Sequence, residues 1–272
     1  MIQELKNGSI DFTYKLQQID DNSIALSFIN DDLLMKYDVD NKKVLLPLCK
    51  EFNDSKFIYL FSLNNTKYFL VDNNNHLDNY DLYPMKGMTQ LDLSSNDDIF
   101  CIFSAYHLYR WYAVNRYCGR CGHKLVNGES ERSLLCKECG NVIYPRINPA
   151  VIVGIRNEDK LLLTKYKRNY AHNALVAGFV EFSETLEDAV RREVKEEVGL
   201  KVKNISYYKS QPWGIAQDIL VGFFCDVDGD DTIVMDNDEL KYAAWVYRDD
   251  IELQPKEYSL TNDMMMHFKY QK

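Results

Sequence analysis

The sequence predicts an α+β protein in three successive parts. A small, mostly β amino-terminal domain comes first, a short ribbon built on four cysteines second, and a sandwich of helices around a mixed sheet last. Short β-like runs separated by polar turns fill residues 1–97. Two Cys-x2-Cys pairs follow within residues 118–145, and from residue 146 to residue 272 strand-like runs alternate with helical ones.

Composition sets the broad class of the protein. A chain of 272 residues with 46% hydrophobic residues is long enough for two domains with ordinary cores. It contains no run of eighteen apolar residues, and the terminus MIQELKNGSIDF lacks the features of a signal peptide, so we expect a cytoplasmic protein with no membrane partner. A formal charge of −9 argues against broad electrostatic affinity for nucleic acid. Bound metal ions can still offset that charge locally around a nucleotide.

The amino-terminal domain is predicted from runs of apolar and β-branched residues at 23–28, 43–48, 57–62 and 67–71. Turns rich in Asn and Asp separate these runs, and the polar residues at 72–75 predict a loop. Apolar residues then recur at helical spacing over 98–117, which predicts a connecting helix. We interpret His107 and Trp111 in this helix as packing residues. The domain contains no chemical motif that we identify.

The ribbon is predicted from the spacing C-x2-C-x14-C-x2-C, formed by Cys118, Cys121, Cys136 and Cys139. Two such pairs can close a tetrahedral zinc site with four protein ligands, which stabilises a fold and leaves no position open for catalysis. A pair of redox dithiols is the alternative reading. Three further cysteines, Cys49, Cys101 and Cys225, stand alone in hydrophobic surroundings and are expected to be buried thiols.

Strands of the carboxy-terminal domain are predicted at 150–155, 160–164, 175–177, 205–208, 219–225 and 243–247. A final helix is expected to begin near Ser259 or Thr261. Its apolar residues Met264, Met265 and Phe268 are interpreted as core contacts. Together these runs predict an α/β sandwich around a mixed sheet.

The most informative helix is predicted to begin after Thr185, which stands at capping-box spacing from Asp188. An apolar stripe along it includes Leu186, Ala189, Val190, Val194 and Val198. Three acids, Glu193, Glu196 and Glu197, fall on or beside that stripe, where unpaired carboxylates are costly. A cation would relieve this cost, and all-oxygen ligands suit Mg²⁺ or Mn²⁺. The alternative is a solvated helix whose acids pair with Arg191, Arg192 and Lys195.

The stretch from Gly178 to Leu200 also fits the pattern G-x5-E-x7-R-E-U-x-E-E-x-G-U, where U is aliphatic, at every fixed position. This pattern is the Nudix box, so the chain resembles a Nudix hydrolase. The order of a β-rich domain, a four-cysteine ribbon and this box resembles the NADH pyrophosphatase branch of the family across nearly the whole chain. Local matches are Tyr144-Pro145, the run AGFVE from Ala177, and SQPW from Ser210 to Trp213.

The resemblance implies a Nudix α/β/α sandwich that hydrolyses the pyrophosphate of NAD(H) to AMP and nicotinamide mononucleotide with two or more magnesium or manganese ions. It implies that Glu193, Glu196 and Glu197 are catalytic metal ligands and that Glu184 and Arg192 brace the loop and helix. Glu239 and the carbonyl of Ala177 are implied as further ligands, although Glu239 could instead be a turn acid. The resemblance also implies a homodimer.

For the substrate's rings, the resemblance suggests Tyr144, Phe179, Thr261 and the segment Gln211, Pro212, Trp213, Gly214, Ile215, Ala216, Gln217 and Asp218. The family's longer signature is S-Q-P-W-P-F-P-x-S, whereas this chain has SQPWGIAQD. Loss of two prolines predicts a looser loop. Alternative functions are removal of NAD caps from RNA, hydrolysis of other nucleoside diphosphate derivatives, or a zinc-ribbon module that binds nucleic acid or regulates.

Overall fold

The computed structural model describes residues 1–5, 8–72, 76–167 and 172–270. Most of the loop predicted at 72–75 falls on residues 73–75, outside this part. The chain forms two compact units, one made of Gln3–Arg146 with Gly214–Gln217 and the other of Met1–Ile2, Ile147–Trp213 and Asp218–Lys272. The finer division at residues 97, 117 and 145 stays a prediction. No helix among the described residues has the length and hydropathy needed to cross a membrane.

The amino-terminal unit contains two four-stranded sheets, as its β-like runs predict. The first has the order β1-β6-β7-β2, and the second joins β3, β4 and β5 with β8 paired to β4. Turns with two consecutive residues at positive φ, Asn30-Asp31 and Asn64-Asn65, close the β3–β4 and β6–β7 hairpins. The strands are β1 (Ile10–Asp11), β2 (Ile24–Leu26), β3 (Phe28–Ile29), β4 (Asp32–Asp38), β5 (Lys43–Leu45), β6 (Lys56–Leu63), β7 (Thr66–Asp72) and β8 (Asp81–Pro84).

The predicted connecting helix is α1 (Asp97–Val114). It ends three residues earlier than the apolar pattern predicts, since Asn115 already leaves helical geometry and its side chain donates to the carbonyl of Trp111. Trp111 is fully buried, as expected of a packing residue. The ring of His107 lies 2.7 Å from the carbonyl oxygen of Arg146. Short 3-10 turns occupy Cys49–Glu51 and Met85–Gln90.

The ribbon follows as a three-stranded antiparallel sheet of β9 (Val126–Asn127), β10 (Leu134–Leu135) and β11 (Val142–Ile143). Its small core joins Trp111 and Leu134 to the buried cysteines Cys118 and Cys136. The three lone cysteines are buried, as predicted, and burial raises the pKa of each thiol to about 12, so these thiols stay protonated: Cys49, Cys101 and Cys225.

The carboxy-terminal unit holds a six-stranded sheet in the order β15-β16-β12-β13-β17, with β14 paired to β12. β12 runs parallel to β16 and antiparallel to β13 and β14, so the sheet is mixed, as predicted. A further 3-10 turn occupies Arg248–Asp250. The strands are β12 (Asn148–Asn157), β13 (Lys160–Tyr166), β14 (Val176–Phe179), β15 (Val202–Trp213), β16 (Asp218–Val227) and β17 (Leu240–Tyr247).

Helices cover both faces of this sheet, which confirms the α/β/α sandwich. Alternation along β12 sends Val151 and Val153 toward α2 (Leu186–Val198) and sends Ile152 toward α3 (Leu260–Tyr270). On the α3 side, a Cβ at Gly154 would crowd Phe224 and approach Met264, so a glycine there lets the helix lie close. Met264 and its neighbour Met265 are fully buried, which confirms their role as core contacts.

Candidate active site

The acidic helix α2 has defined signals at both ends. Thr185 is its N-cap, and the hydroxyl oxygen accepts the N–H of Asp188 at 3.1 Å. Gly199 ends the helix in the left-handed region at φ 74°, and its carbonyl accepts a hydrogen bond from Lys195. The helix therefore begins and ends where the sequence predicts, which fixes the positions of its acids.

Arg192 ties the helix to the loop before it. Its guanidinium donates to both carboxylate oxygens of Glu184 at 2.8 Å and to the carbonyl of Phe179 at 2.8 Å. This charge-assisted fork lowers the pKa of Glu184 to about 2. The brace implied by the resemblance is confirmed. The same guanidinium also lies 2.7 Å from Glu193 and 3.0 Å from Glu196.

Glu193 lies directly over the backbone of β14. A Cβ at Gly178 would overlap its carboxyl group, so glycine is needed there for close approach. Burial raises the pKa of Glu193, against the opposing charge of Arg192. The glycine of the box and its acid thus form one packing unit that holds a carboxylate beside Ala177 and Gly178.

Glu197 is buried with 2% exposure. Among the described residues no cation pairs with it, and the hydroxyl of Tyr166 donates to its two oxygens at 3.0 and 3.2 Å. Burial raises its pKa to about 8, and the charges of Glu193 and Glu239 act in the same direction. The alternative of a solvated helix with paired acids is therefore wrong for Glu197.

Tyr166 is a site residue that the sequence analysis missed. Besides donating to Glu197, its hydroxyl accepts the N–H of Ala177 at 3.1 Å and so links the helix to β14. Burial, followed by the charge of Glu197, raises the pKa of Tyr166, so its hydroxyl stays protonated and can donate. The predicted strand ended at Thr164, whereas β13 continues to Tyr166. Extending the predicted strand by two residues, with side chains alternating from Leu162, would have placed Tyr166 on the face of the sheet that contacts α2.

The remaining acids lie at the edge of this cluster. The side chain of Glu196 is 60% exposed, and Glu239 is an exposed residue just before β17. Glu239 nonetheless raises the pKa of both Glu193 and Glu197, which places its charge within electrostatic reach of them. The donor set consists of carboxylates beside the backbone of Ala177, and an all-oxygen set fits Mg²⁺ or Mn²⁺.

The four ribbon cysteines converge more tightly than any other group of possible metal ligands among the described residues, with all sulfurs within 4.8 Å of one another. The closest pairs are 3.4 to 3.6 Å apart, near the ~3.8 Å separation of a tetrahedral zinc site. Gly122 and Gly140 follow the two pairs at positive φ and donate to the carbonyls of Cys118 and Cys136. Two matching knuckles favour structural zinc over redox dithiols.

Comparison with known families identifies both regions. Residues 146–268 match the family model described as the NUDIX domain, and residues 114–144 match the NADH pyrophosphatase zinc ribbon domain. The carboxy-terminal unit contains a Nudix domain. The resemblance drawn from the box and the cysteines is confirmed.

Curated relatives match about half of the chain. The chain is 46% identical over 150 residues to the NAD-capped RNA hydrolase NudC of Shigella flexneri and 45% identical over 150 residues to the protein of that name in Escherichia coli O9:H4 (strain HS). Each alignment covers 54% of this chain and 58% of the relative. A solved NUDIX hydrolase from Nitrosomonas europaea matches with a TM-score of 0.49 and 21% identity, covering 57% of this chain and 92% of that one.

Two aromatic residues suggested for the substrate's rings are solvent-exposed. Phe179, at the end of β14 in the Nudix domain, and Tyr144, after the ribbon, are each 56% exposed. The hydroxyl of Tyr144 donates to Glu131 at 2.7 Å, which raises the pKa of the tyrosine. Thr261 is the second residue of α3 and is partly buried. Exposed aromatic faces are able to stack on a ring.

The segment Gln211–Asp218 differs from its prediction as a substrate loop. Gln211, Pro212 and Trp213 are the last residues of β15, and Asp218 is the first of β16. Gln211 is buried, and its side-chain amide donates to the carbonyl of Tyr258 and accepts the N–H of Leu260. Its amide therefore joins β15 to the start of α3. The ring of Trp213 stacks at 6.3 Å on Tyr258.

The expected looser loop is a hairpin turn of Gly214, Ile215, Ala216 and Gln217 between β15 and β16. Gln217 is buried, accepts from Arg146 at 2.7 Å and donates to the carbonyl of His107 at 3.1 Å. A Cβ at Gly214 would overlap the backbone of Phe103. Asp218 is buried and accepts from Asn148 at 3.2 Å. Buried hydrogen bonds thus replace the two prolines as the constraint on this turn.

Proposed function

We propose that this chain is an NAD(H) diphosphatase, which hydrolyses the pyrophosphate bond to give AMP and nicotinamide mononucleotide. The observation that carries the proposal is Glu197, a carboxylate buried without a cation beside Glu193 on the helix of a Nudix domain. An NADH pyrophosphatase zinc ribbon in the same chain narrows the substrate to dinucleotides.

The proposed catalytic ions are Mg²⁺ or Mn²⁺, two or more per site. Their ligands would be the carboxylates of Glu193, Glu196, Glu197 and Glu239 and the carbonyl of Ala177. Divalent ions at this position would neutralise phosphate charge and lower the pKa of water. The cluster fits them, because burial and mutual repulsion raise the pKa of both Glu193 and Glu197. A cation is the natural counter-charge.

The side chains of the site would have separate roles in the reaction. We propose Glu197 as the group that both ligates a divalent ion and helps to accept the proton of the attacking water, since it is the most deeply buried carboxylate of the cluster. Tyr166 orients that carboxylate through its hydroxyl, and Arg192 holds Glu193 and Glu196 in place from the outer side. The ribbon zinc, held by four cysteines, has no open position and takes a structural role.

For the substrate we propose that Phe179 stacks on a ring, assisted by Tyr144 and by the segment from Gln211 to Asp218. Base–aromatic stacking contributes about 1–3 kcal/mol per ring. The buried side chains of Gln211, Gln217 and Asp218 form hydrogen bonds within the protein. We therefore propose that they fix the conformation of the segment and do not contact the substrate directly. Thr261, the second residue of α3, is a further candidate for contact with the substrate.

A second candidate function is removal of the NAD cap from RNA, which breaks the same bond. The names of the two curated relatives favour it. Turnover of NADH, NAD-capped RNA, ADP-ribose and dinucleoside polyphosphates, compared at equal enzyme concentration, tests the choice. We expect NADH and NAD-capped RNA to be the best substrates. NADH among the poorest would contradict the primary proposal, and a clear preference for ADP-ribose would favour another nucleoside diphosphate derivative.

The non-enzymatic alternative is a zinc-ribbon module that binds nucleic acid or regulates. Tight RNA binding together with no metal-dependent hydrolysis of any member of the panel would favour it. We further propose that the protein acts as a homodimer in the cytoplasm, an expectation that rests on the family resemblance and on the composition. Light scattering across a range of protein concentrations tests the oligomeric state.

A further inference from the structure

A large groove lies within the amino-terminal unit, formed entirely by residues between Phe28 and Leu134. It has a volume of about 980 Å³. Its walls are the first residues of β6 and the last residues of β7, the carboxy-terminal half of α1 with the residues after it, and the first strand of the zinc ribbon. No role proposed above for the Nudix site uses this groove.

The charged side chains that line the groove are all cationic: Lys56, Arg116 and Lys124. All three are exposed, and no carboxylate among the described residues forms an ion pair with them. Other cations of the same unit are neutralised, as in the pairs Lys15–Asp11, Lys42–Asp92, Lys67–Asp20 and Arg110–Asp31. A concave surface with three unpaired positive charges is a local exception in a chain of formal charge −9.

Aromatic side chains line the groove together with these cations. Tyr109 and Tyr112 line it from α1 and Tyr117 lines it beside Arg116, whereas the ring of Phe57 packs against Phe69 in the core. Tyr117 is 65% exposed, so its ring is open to a partner. Tyr109 is fixed from behind by stacking on Phe28 at 4.8 Å. The groove therefore offers rings for flat ligands beside charges for anions.

We propose that this groove binds single-stranded nucleic acid, with bases stacked on the aromatic rings and phosphates paired with the three cations. Unpaired bases stack on aromatic side chains whatever their sequence, and a positive groove follows the backbone. The bases of a duplex are paired and stacked on one another, so they cannot stack on the aromatic side chains of the groove. The proposal goes beyond the hydrolysis proposed above and does not depend on it, because binding here requires no bond cleavage.

The affinity of the groove for single-stranded nucleic acid should fall with salt concentration by a predictable amount. Three phosphate contacts to a single strand give a slope of log K against log salt of about −2. Raising the salt from 50 to 200 mM should then weaken binding about 20-fold. Stacking has no such dependence, so binding should survive at reduced strength in high salt.

The test uses the whole chain with its zinc, in buffer without Mg²⁺ or Mn²⁺ to prevent hydrolysis. Fluorescence anisotropy measures binding of a labelled, uncapped single-stranded oligoribonucleotide of about ten nucleotides. The variant K56Q/R116Q/K124Q is compared with K36Q/K50Q/K86Q, which removes three exposed lysines of the same unit that lie outside the groove. We expect the groove variant to bind at least 10-fold more weakly with a salt slope near zero. The control should bind like the wild type, and a Tyr117→Ser variant should bind severalfold more weakly.

Equal RNA binding by the groove and control variants would overturn the proposal, as would equal affinity of the wild type for single-stranded and duplex RNA. AMP is expected to displace the oligonucleotide only partially, whereas complete displacement by a low concentration of AMP would show a mononucleotide site instead. A loss of oligomerisation in the groove variant would show a protein interface instead. NADH hydrolysis is measured in parallel, so failure of RNA binding and failure of the proposed hydrolysis are distinguishable.

Discussion

Glu197 and Tyr166 are the residues at which packing and chemistry meet most closely. Two apolar side chains of matching shape would stabilise this part of the sandwich at least as well as a buried carboxylate held by a single hydroxyl. The helical period predicts where Glu197 points, because 100° per residue places it on the inward stripe with Val194 and Val198. The period does not predict Tyr166, whose partner is 31 residues away in sequence.

Glu197→Gln should fold normally and lose at least about 100-fold in turnover of NADH, because the amide keeps the shape and cannot accept a proton or hold a cation equally well. Steady-state kinetics and thermal unfolding in metal-free buffer check this. Glu187→Gln on the exposed face of the same helix is the matched control and should leave both unchanged. A large fall in melting temperature for Glu197→Gln would show that the residue is structural.

Tyr166→Phe should reduce activity or divalent-ion affinity about 10–100-fold, since it removes the hydrogen bond that orients a ligand carboxylate. Turnover measured at increasing Mn²⁺ concentrations separates a loss of activity from a loss of divalent-ion affinity. Tyr247→Phe, an exposed tyrosine on β17 of the same sheet, is the control and should behave as the wild type. Wild-type metal dependence in Tyr166→Phe would remove this residue from the site.

At the scale of elements, the box helix could be predicted to the residue because its cap, its stripe and its terminal glycine all agree. Strand ends were less predictable. β15 was expected only at 205–208, yet it runs through Pro212 to Trp213. Proline argues against a central strand, but β15 is at the edge of the sheet, where a missing N–H is tolerated. Edge position is a property of the whole sheet, and the local sequence does not contain it.

At the scale of elements, the testable prediction concerns zinc binding by the ribbon. Cys136→Ser should lose the single zinc ion and more than about 3 kcal/mol of stability, which is about 10 °C in melting temperature for a chain of this size. Zinc content by elemental analysis and thermal unfolding measure both quantities. Cys225→Ala changes a buried thiol of the other unit and should keep one zinc per chain. A wild-type protein that stays equally stable after verified zinc removal would contradict the structural role.

At the scale of the whole molecule, net charge predicts less than local arrangement does. A formal charge of −9 argues against nucleic-acid binding on average, yet one groove collects three unpaired cations and several rings. The sequence shows Lys56, Arg116 and Lys124 without showing that they meet, because contacts between distant segments form only in the fold. The opposite holds for three acids of the Nudix site, because one continuous helix supplies them and its period alone places them together.

The central claim is that this chain breaks the pyrophosphate bond of NADH with divalent ions on the acids of α2. Product analysis by chromatography and mass spectrometry after incubation with NADH and Mg²⁺ or Mn²⁺ tests bond, metal and substrate together. We predict AMP and reduced nicotinamide mononucleotide in equal amounts, with none formed in the presence of a chelator and at most traces by Glu197→Gln. Intact NADH, or nicotinamide released with ADP-ribose, would contradict the account.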